Sequence, residues 1–214
     1  KALGFETFVE LGALRRQRNC YTPAQAAAFR QQVVQDLVPL TLKLKERQAK
    51  RLGISDFKFH DNALKFKDGS ATPQGTPEEI MAAGKKMYQE LSPETASFID
   101  MMFENDLFDV LAKEGKAPGG YCTGLEDYGY PFIFSNFNGT SGDVDVLTHE
   151  AGHAFADYIA GQTVDIHALR CPTMEGAETH SMSMEFLTAP WHHLFFGSLT
   201  DKYELSHAED ALLF

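Results

Sequence analysis

Apolar residues recur every three or four positions through most of the first half of the chain, which is the spacing of amphipathic helices. A short opening helix is predicted near Phe5. A longer one starts at Thr22, where Thr22-Pro23-Ala24-Gln25 forms a capping box with proline at the first helical position. The apolar positions continue to Leu44, so we expect one long helix that is kinked at Pro39.

Two further helices are predicted after a loop or weak hairpin at residues 54–75, and each begins at a proline-containing cap. Residues 113–130 hold five glycines and a proline, which is too irregular for a helix. The next run, Pro131–Phe137, is short, aromatic-rich and bounded by a turn, so it is predicted to be a strand. Periodicity alone favours equally a buried strand and a cleft strand that pairs with an extended peptide by β-augmentation.

The second half contains His149-Glu150-Ala151-Gly152-His153, within a helix predicted from about Gly142 to Ala160. Histidines four residues apart lie one turn apart on the same helix face, so both imidazoles can bind one cation, typically zinc. Glu150 is placed to hold the water at such a metal and to act as a general base. The alternative is that both histidines are ordinary core residues.

Catalytic zinc commonly has three protein ligands, so a third is expected further along the chain. Metzincins supply a histidine six residues after the second one, but that position is Ile159, which excludes that class. The downstream helix rich in carboxylates is predicted around residues 174–188. From spacing alone, Glu178, Glu175 and His180 are all candidates.

Histidine ligands usually need an acceptor for the other ring N–H. Asp145 lies four residues before His149 on the same helix face and is our first candidate, and Asp157 has the same relation to His153. Glu185, which lies two helical turns after Glu178, is a weaker candidate for this acceptor. Any of these carboxylates could instead be a solvated surface group.

Composition narrows the functional class. The net charge is −11, and residues 1–67 hold 13 basic and 6 acidic side chains while residues 68–214 hold 6 and 24. No apolar run approaches the ~20 residues that span a bilayer, so no membrane role is expected. The basic cluster at 43–51 lacks interleaved aromatic residues, which argues against nucleic acid binding. Three cysteines without a C-x-x-C pair indicate a reducing, cytoplasmic location.

The motif at 149–153, followed by the run Glu178–Phe186, resembles the thimet oligopeptidase family of zinc metallopeptidases, and specifically its oligoendopeptidase F branch. Other segments that resemble this branch are Leu11–Arg15, Gly119–Cys122, Pro131–Thr140 and Pro190-Trp191. The resemblance implies one zinc ion bound by His149, His153 and Glu178, with Glu150 as the base. It also implies that Phe134, Ser135, Asn136 and Phe137 lie on the cleft-edge strand that holds the substrate backbone. His180, beside Glu178, is a further candidate for substrate contact.

The expected fold is mainly α, a helical zincin-type catalytic region with a small β-sheet beside the H-E-x-x-H helix. Its expected parts are helices at 1–112, a loop and edge strand at 113–140, metal-binding helices at 141–190 and a C-terminal helical piece at 191–214. Family members are longer, so this chain is expected to be part of a longer polypeptide. The predicted function is zinc-dependent hydrolysis of short peptides. The alternative is an incomplete or inactive relative that acts as a zinc-stabilised peptide-binding module.

Overall fold

The computed structural model describes residues 2–213. The chain divides into two compact units, one formed by residues 1–70 with 205–214 and the other by Ala71–Glu204. The last helix begins in the second unit and continues into the first. Helices dominate both units, and the described strands all lie in the second. The predicted mainly α fold class is therefore confirmed.

The first unit is built from helices at its N-terminal end. They are α1 (Phe8–Arg15), α2 (Pro23–Gln32) and α3 (Val38–Leu52), with a π-helical segment at Val33–Leu37 between the last two. The predicted capping box is present, since the Gln25 amide donates to the Thr22 hydroxyl and the Thr22 amide donates to the Gln25 side chain. The widened segment lies just before Pro39, where the proline ring cannot accommodate a regular preceding turn.

Residues 54–75 form a loop with a single 3₁₀ turn, Phe59–Asp61, among the residues described. Gln48 of α3 holds part of this loop in place. Its fully buried side-chain amide donates to the carbonyl oxygens of Asn62, at 3.1 Å, and Leu64, at 2.7 Å. The loop is therefore ordered by hydrogen bonds to its backbone and not by strand pairing.

The second unit contains the remaining helices and the sheet. The helices that lie wholly in it are α4 (Pro77–Leu91), α5 (Pro93–Glu104), α6 (Gly142–Thr163), α7 (Met174–Leu187) and α8 (His193–Phe196). It also contains the first residues, up to Glu204, of α9 (Thr200–Leu213). Capping boxes at Thr76 and Ser92 start α4 and α5, as predicted. Helix α6 extends three residues beyond its predicted end at Ala160.

Three strands form one sheet: β1 (Phe108–Leu111), β2 (Tyr121–Leu125) and β3 (Tyr130–Phe137). The strand order is β1-β3-β2, with β1 parallel and β2 antiparallel to β3. Alternate residues of β3 are buried, among them Ile133 and Phe137, which join the hydrophobic core. Within the part of the chain that is described, β2 is therefore an edge strand of the sheet and β3 is its centre.

Helix α6 runs through the core of the second unit. Its buried face carries Val144, Leu147, Ala151 and Ala154, which are at most 2% exposed. Gly84 of α4 lies so close to this face that an added Cβ would be 2.6 Å from Leu147 Cδ2. Because this face is fixed against its neighbours, the opposite face of α6 is held at a defined position.

The predicted division of the chain into successive catalytic parts stays a prediction, with one difference in detail. Residues 108–111, which were expected to be helical, form strand β1. Among the described residues, no helix combines the length and apolar character that a membrane span needs. The predicted location and the expected absence of nucleic acid and membrane partners also stay predictions.

Candidate metal centre

The three residues implied as zinc ligands lie together at the junction of α6 and α7. Nε2 of His149 is 3.2 Å and Nε2 of His153 is 3.7 Å from Oε2 of Glu178. The two imidazole rings are 5.0 Å apart between centroids and nearly perpendicular. One ligand atom from each residue lies within 4.8 Å of the others, and no other group of this kind occurs among residues 2–213. Two α6 histidines and one α7 carboxylate thus converge on one point.

Gly152 allows the two helices to approach closely enough for this convergence. A Cβ added at Gly152 would lie 2.7 Å from Ser181 Cα, 3.0 Å from the His180 carbonyl oxygen and 3.0 Å from Met184 Cβ. Two of these three atoms belong to the α7 backbone, so no change of rotamer can relieve the contact. The glycine between the histidines therefore sets the distance from α6 to Glu178.

Gly152→Ala is expected to destabilise the protein by about 1–3 kcal/mol, because α7 must move away from α6. The matched control is Gly161→Ala in the same helix, where an added Cβ meets no atom within 4 Å. That change should stabilise the protein by about 0.5–1 kcal/mol, because alanine loses less backbone entropy on folding than glycine. Urea unfolding of both variants measures the two effects. Equal stability of the two variants would contradict the close-packing role of Gly152.

Side chains of α7 hydrogen-bond to two of the three residues in this group, Glu178 and His149. Ser181, which is fully buried, donates its hydroxyl to Oε2 of Glu178 at 3.0 Å. Glu185 Oε1 lies 2.6 Å from Nδ1 of His149. With Nδ1 protonated and donating to Glu185, Nε2 of His149 carries the lone pair that a metal ion requires.

The structure corrects the first candidate for the partner of His149. Asp145 accepts a hydrogen bond from the Tyr203 hydroxyl at 2.5 Å, whereas the carboxylate at the His149 ring is that of Glu185. A residue four positions earlier on the same helix was expected to reach the ring. The carboxylate from the facing helix meets the ring nitrogen instead, because α7 packs directly against that side of α6. Asp157 makes no hydrogen bond or ion pair with His153 or any other residue described.

Glu150 lies on α6 next to the first histidine, and only 9% of its surface is exposed. The backbone of Cys122, on β2, lies near its carboxylate and lowers its pKa. Burial is the main cause that raises the pKa of Glu150, whereas the charge of His149 and the nearby Cys122 backbone lower it. A carboxylate whose pKa is raised is a stronger proton acceptor than an ordinary glutamate.

The two histidines have opposite pKa shifts. The hydrogen bond to Glu185 is the main cause that raises the pKa of His149. Burial, followed by the neighbouring His149, lowers the pKa of His153. Burial also raises the pKa of the Cys122 thiol to about 12, so this cysteine is protonated at neutral pH and unsuited to act as a nucleophile.

The prediction that Phe134, Ser135, Asn136 and Phe137 form the cleft-edge strand is wrong. These residues belong to β3, which has β1 on one side and β2 on the other. Ser135 and Phe137 are buried, at 3% and 6% exposure. The edge strand beside the metal centre is β2, in a stretch that the sequence showed only as glycine-rich and irregular.

Asn136 and Phe134 instead support the edge strand. The Asn136 side-chain amide donates to the carbonyl oxygens of Ala117 and Gly119, both at 2.9 Å, in the loop that leads into β2. The Phe134 ring stacks on Tyr121 of β2 with centroids 4.9 Å apart. These two side chains therefore hold β2 and the loop before it in place.

A cavity of about 810 Å³ adjoins the metal centre along the C-terminal half of α6. Its lining includes His153, His180, Cys122, Gly124, Asp157 and Arg170. His180 is exposed and close enough to His153 to contribute to its lowered pKa. Neither His180 nor Glu175, the other third-ligand candidates, belongs to the converging group of ligand atoms.

Ser181 and Gly152 were not identified by sequence reasoning, although both have a sequence signal. Ser181 lies three residues after Glu178 and so on the same helix face. Gly152 is a glycine inside a helix, which usually has a packing or functional reason. Tyr203 offered no such signal, because it lies 58 residues from its partner Asp145.

Comparison with known proteins identifies the same peptidase family that the sequence motifs indicated. The model of peptidase family M3 matches residues 1–212. An oligoendopeptidase F homolog from Lactococcus lactis subsp. lactis (strain IL1403) is 28% identical over 166 residues, which is 70% of this chain and 26% of the relative.

Solved structures of the family resemble the chain throughout. PZ peptidase A, solved with an inhibitor, is 52% identical with a TM-score of 0.96, and the match covers all of this chain and 38% of that protein. A candidate oligoendopeptidase F from Bacillus anthracis str. Ames is 51% identical with a TM-score of 0.96, and the match covers 99% of this chain and 39% of that one. The chain thus spans well under half the length of these relatives. The family and branch predicted from the motifs are confirmed, and the chain belongs to peptidase family M3, in its oligoendopeptidase F branch.

Proposed function

We propose that this chain is the metal-binding part of a zinc-dependent oligopeptidase, which hydrolyses short peptides with Glu150 as general base. The observation that carries the proposal is the convergence of His149, His153 and Glu178 within 4.8 Å, with a buried carboxylate next to them. Membership of a peptidase family supports the reaction class.

The donor set suits one zinc ion. Two imidazole nitrogens and one carboxylate oxygen are a ligand combination found in catalytic zinc sites, which leave a further position open. Ligand atoms at about 2.0–2.1 Å from a tetrahedral ion lie about 3.3 Å from one another. The distances from Glu178 to the two histidine nitrogens, 3.2 and 3.7 Å, match this spacing.

The chemistry that zinc supplies at such a site is polarisation of the peptide carbonyl and a lowered pKa for the attacking water. Glu150 takes the proton of that water and then delivers it to the leaving amine. Its burial shields the carboxylate from solvent, and the backbone of Cys122 lies beside it. Glu185 keeps His149 in the tautomer that leaves Nε2 free to bind metal.

We further propose that the substrate backbone pairs with β2. An edge strand presents unpaired N–H and C=O groups to which an extended peptide can add. Strand β2 lies beside α6, with Gly124 next to Asp157 and Cys122 near Glu150, so a peptide added there has its backbone beside the metal centre. This assignment replaces the one made from the sequence for residues 134–137.

The proposal is tested by zinc analysis of the purified protein together with cleavage of quenched fluorescent peptides. We expect about one zinc per chain, cleavage of peptides of limited length, loss of cleavage when a chelator removes the metal, and recovery when zinc is added. Cleavage that persists in the metal-free protein would contradict the metallopeptidase assignment. Zinc and peptide binding without cleavage would favour the alternative function, a zinc-stabilised peptide-binding module.

A further inference from the structure

Alternate residues in and just before strand β2 lie against helix α6. A Cβ added at Gly120 would lie 3.1 Å from Val146 Cγ1, and one added at Gly124 would lie 3.3 Å from Asp157 Oδ2. Between them, Cys122 is close to Glu150 and Asp157, whose charges help to raise the pKa of its thiol. The even-numbered positions of β2 therefore face α6.

The odd-numbered positions of β2 face the other way. Tyr121 stacks on Phe134 of the neighbouring strand and is half exposed. In a strand that adds to β2, side chains alternate between the same two faces in phase with their partners. The substrate residue opposite Gly124 then directs its side chain towards α6, into the space that the glycine leaves open.

Asp157 lies in that space and has no partner of its own. It lines the cavity next to the metal centre, and it makes no hydrogen bond or ion pair with any of residues 2–213. It is half-buried, and burial is the main cause that raises its pKa, followed by the nearby Glu126. A carboxylate that is partly desolvated and unpaired gains from a cationic ligand.

The positive charges near Asp157 do not neutralise its carboxylate by direct contact. Glu126 and His167 form an ion pair with each other. Arg170 donates through Nε to the Val164 carbonyl oxygen at 2.8 Å, and its charge acts on Asp157 at a longer range than a direct ion pair. Both His167 and Arg170 lower the pKa of Asp157, yet the net shift is upward.

We propose that Asp157 is a specificity-determining residue that binds a lysine or arginine side chain of the peptide, two residues along the cleft from the position opposite Cys122. The absence of a side chain at Gly124 gives the substrate access to the carboxylate. This inference rests on the proposed function, since it assumes that a peptide pairs with β2. It predicts that the enzyme distinguishes basic from neutral peptides at one defined position relative to the scissile bond.

The test compares kcat/KM for matched quenched peptides that carry lysine or norleucine at each position near the cleaved bond. In the wild-type protein, lysine should be preferred about tenfold at one position, because a charge-assisted contact is stronger than a neutral one, and the preference should decrease at high salt. Asp157→Asn should reduce the ratio towards one. Arg170→Gln, which removes a competing cation, should increase it.

Glu104→Gln is the matched control, because it removes an exposed carboxylate from the end of α5 and should leave the ratio at the wild-type value. Equal kcat/KM for both peptides at every position in wild type, or an unchanged ratio in Asp157→Asn, would overturn the inference while leaving the peptidase intact. If neither peptide is cleaved, the proposed function has failed. The ratio of dissociation constants for the same peptides then decides whether Asp157 selects a cation.

Discussion

Replacing Glu150 by glutamine is expected to lower kcat for peptide cleavage by about 10²- to 10⁴-fold while zinc content stays at the wild-type value. Glutamine has nearly the same shape, so it fills the same space beside Cys122, but it cannot accept the proton of the attacking water. The ligand atoms of His149, His153 and Glu178 are untouched by the change. Measuring both turnover and zinc content therefore distinguishes a general base from a metal ligand.

The matched control is Glu175→Gln, which removes an exposed carboxylate from the first turn of α7, outside the converging ligand group. We expect this variant to keep both zinc and wild-type kcat. Glu150→Asp is a second informative change, because it keeps the negative charge and shortens the side chain by one methylene. If Glu150→Gln cleaved peptides at the wild-type rate, the proton would have to be taken by another group, and the assignment of Glu150 would be wrong.

The helix that carries Glu150 could be predicted because its signals are local. An i, i+4 histidine pair and an apolar face with helical period are both properties of a short continuous segment. Helix α7 was predicted around residues 174–188 for the same reason, and it spans Met174–Leu187. The choice among Glu175, Glu178 and His180 remained open from spacing alone, because it depends on the angle and distance at which α7 crosses α6.

The sheet could not be predicted to the same depth. A short aromatic-rich run bounded by a turn predicted β3, but nothing local shows which strands lie beside it. Strand β2 is flanked by Gly120 and contains Gly124, and those glycines, which lower the strand signal, are the residues that let it lie against α6. The glycines that let β2 lie against α6 are thus the residues that prevent its prediction as a strand.

The partner of His149 is a similar case. Asp145 was favoured because it lies one helical turn before the histidine, which is an argument from a single helix. The ring nitrogen is turned towards α7, where Glu185 is nearly buried, at 14% side-chain exposure, and 2.6 Å away. His149 and Glu185 are 36 residues apart, so no local pattern predicts this contact. The sequence indicated only that Glu185 lies two turns after Glu178 on the same helix face.

This difference gives a direct experimental comparison of the two carboxylates. Glu185→Gln is expected to reduce zinc affinity by about 10- to 100-fold, the usual effect of removing the carboxylate that orients a histidine ligand. The variant keeps the size of the side chain but loses the charge that holds the Nδ1 proton of His149. With that proton less firmly held, Nε2 is less often in the form that binds metal.

Asp145→Asn is the control, since it makes the same chemical change on the residue that the helical spacing favoured. Its carboxylate accepts from Tyr203, so we expect zinc affinity within about twofold of wild type, below the 10-fold minimum of an orienting partner. Competition with a chromophoric chelator gives the dissociation constants of all three proteins under the same conditions. A larger loss in Asp145→Asn than in Glu185→Gln would reverse the assignment and would mean that α6 alone orients its own histidine.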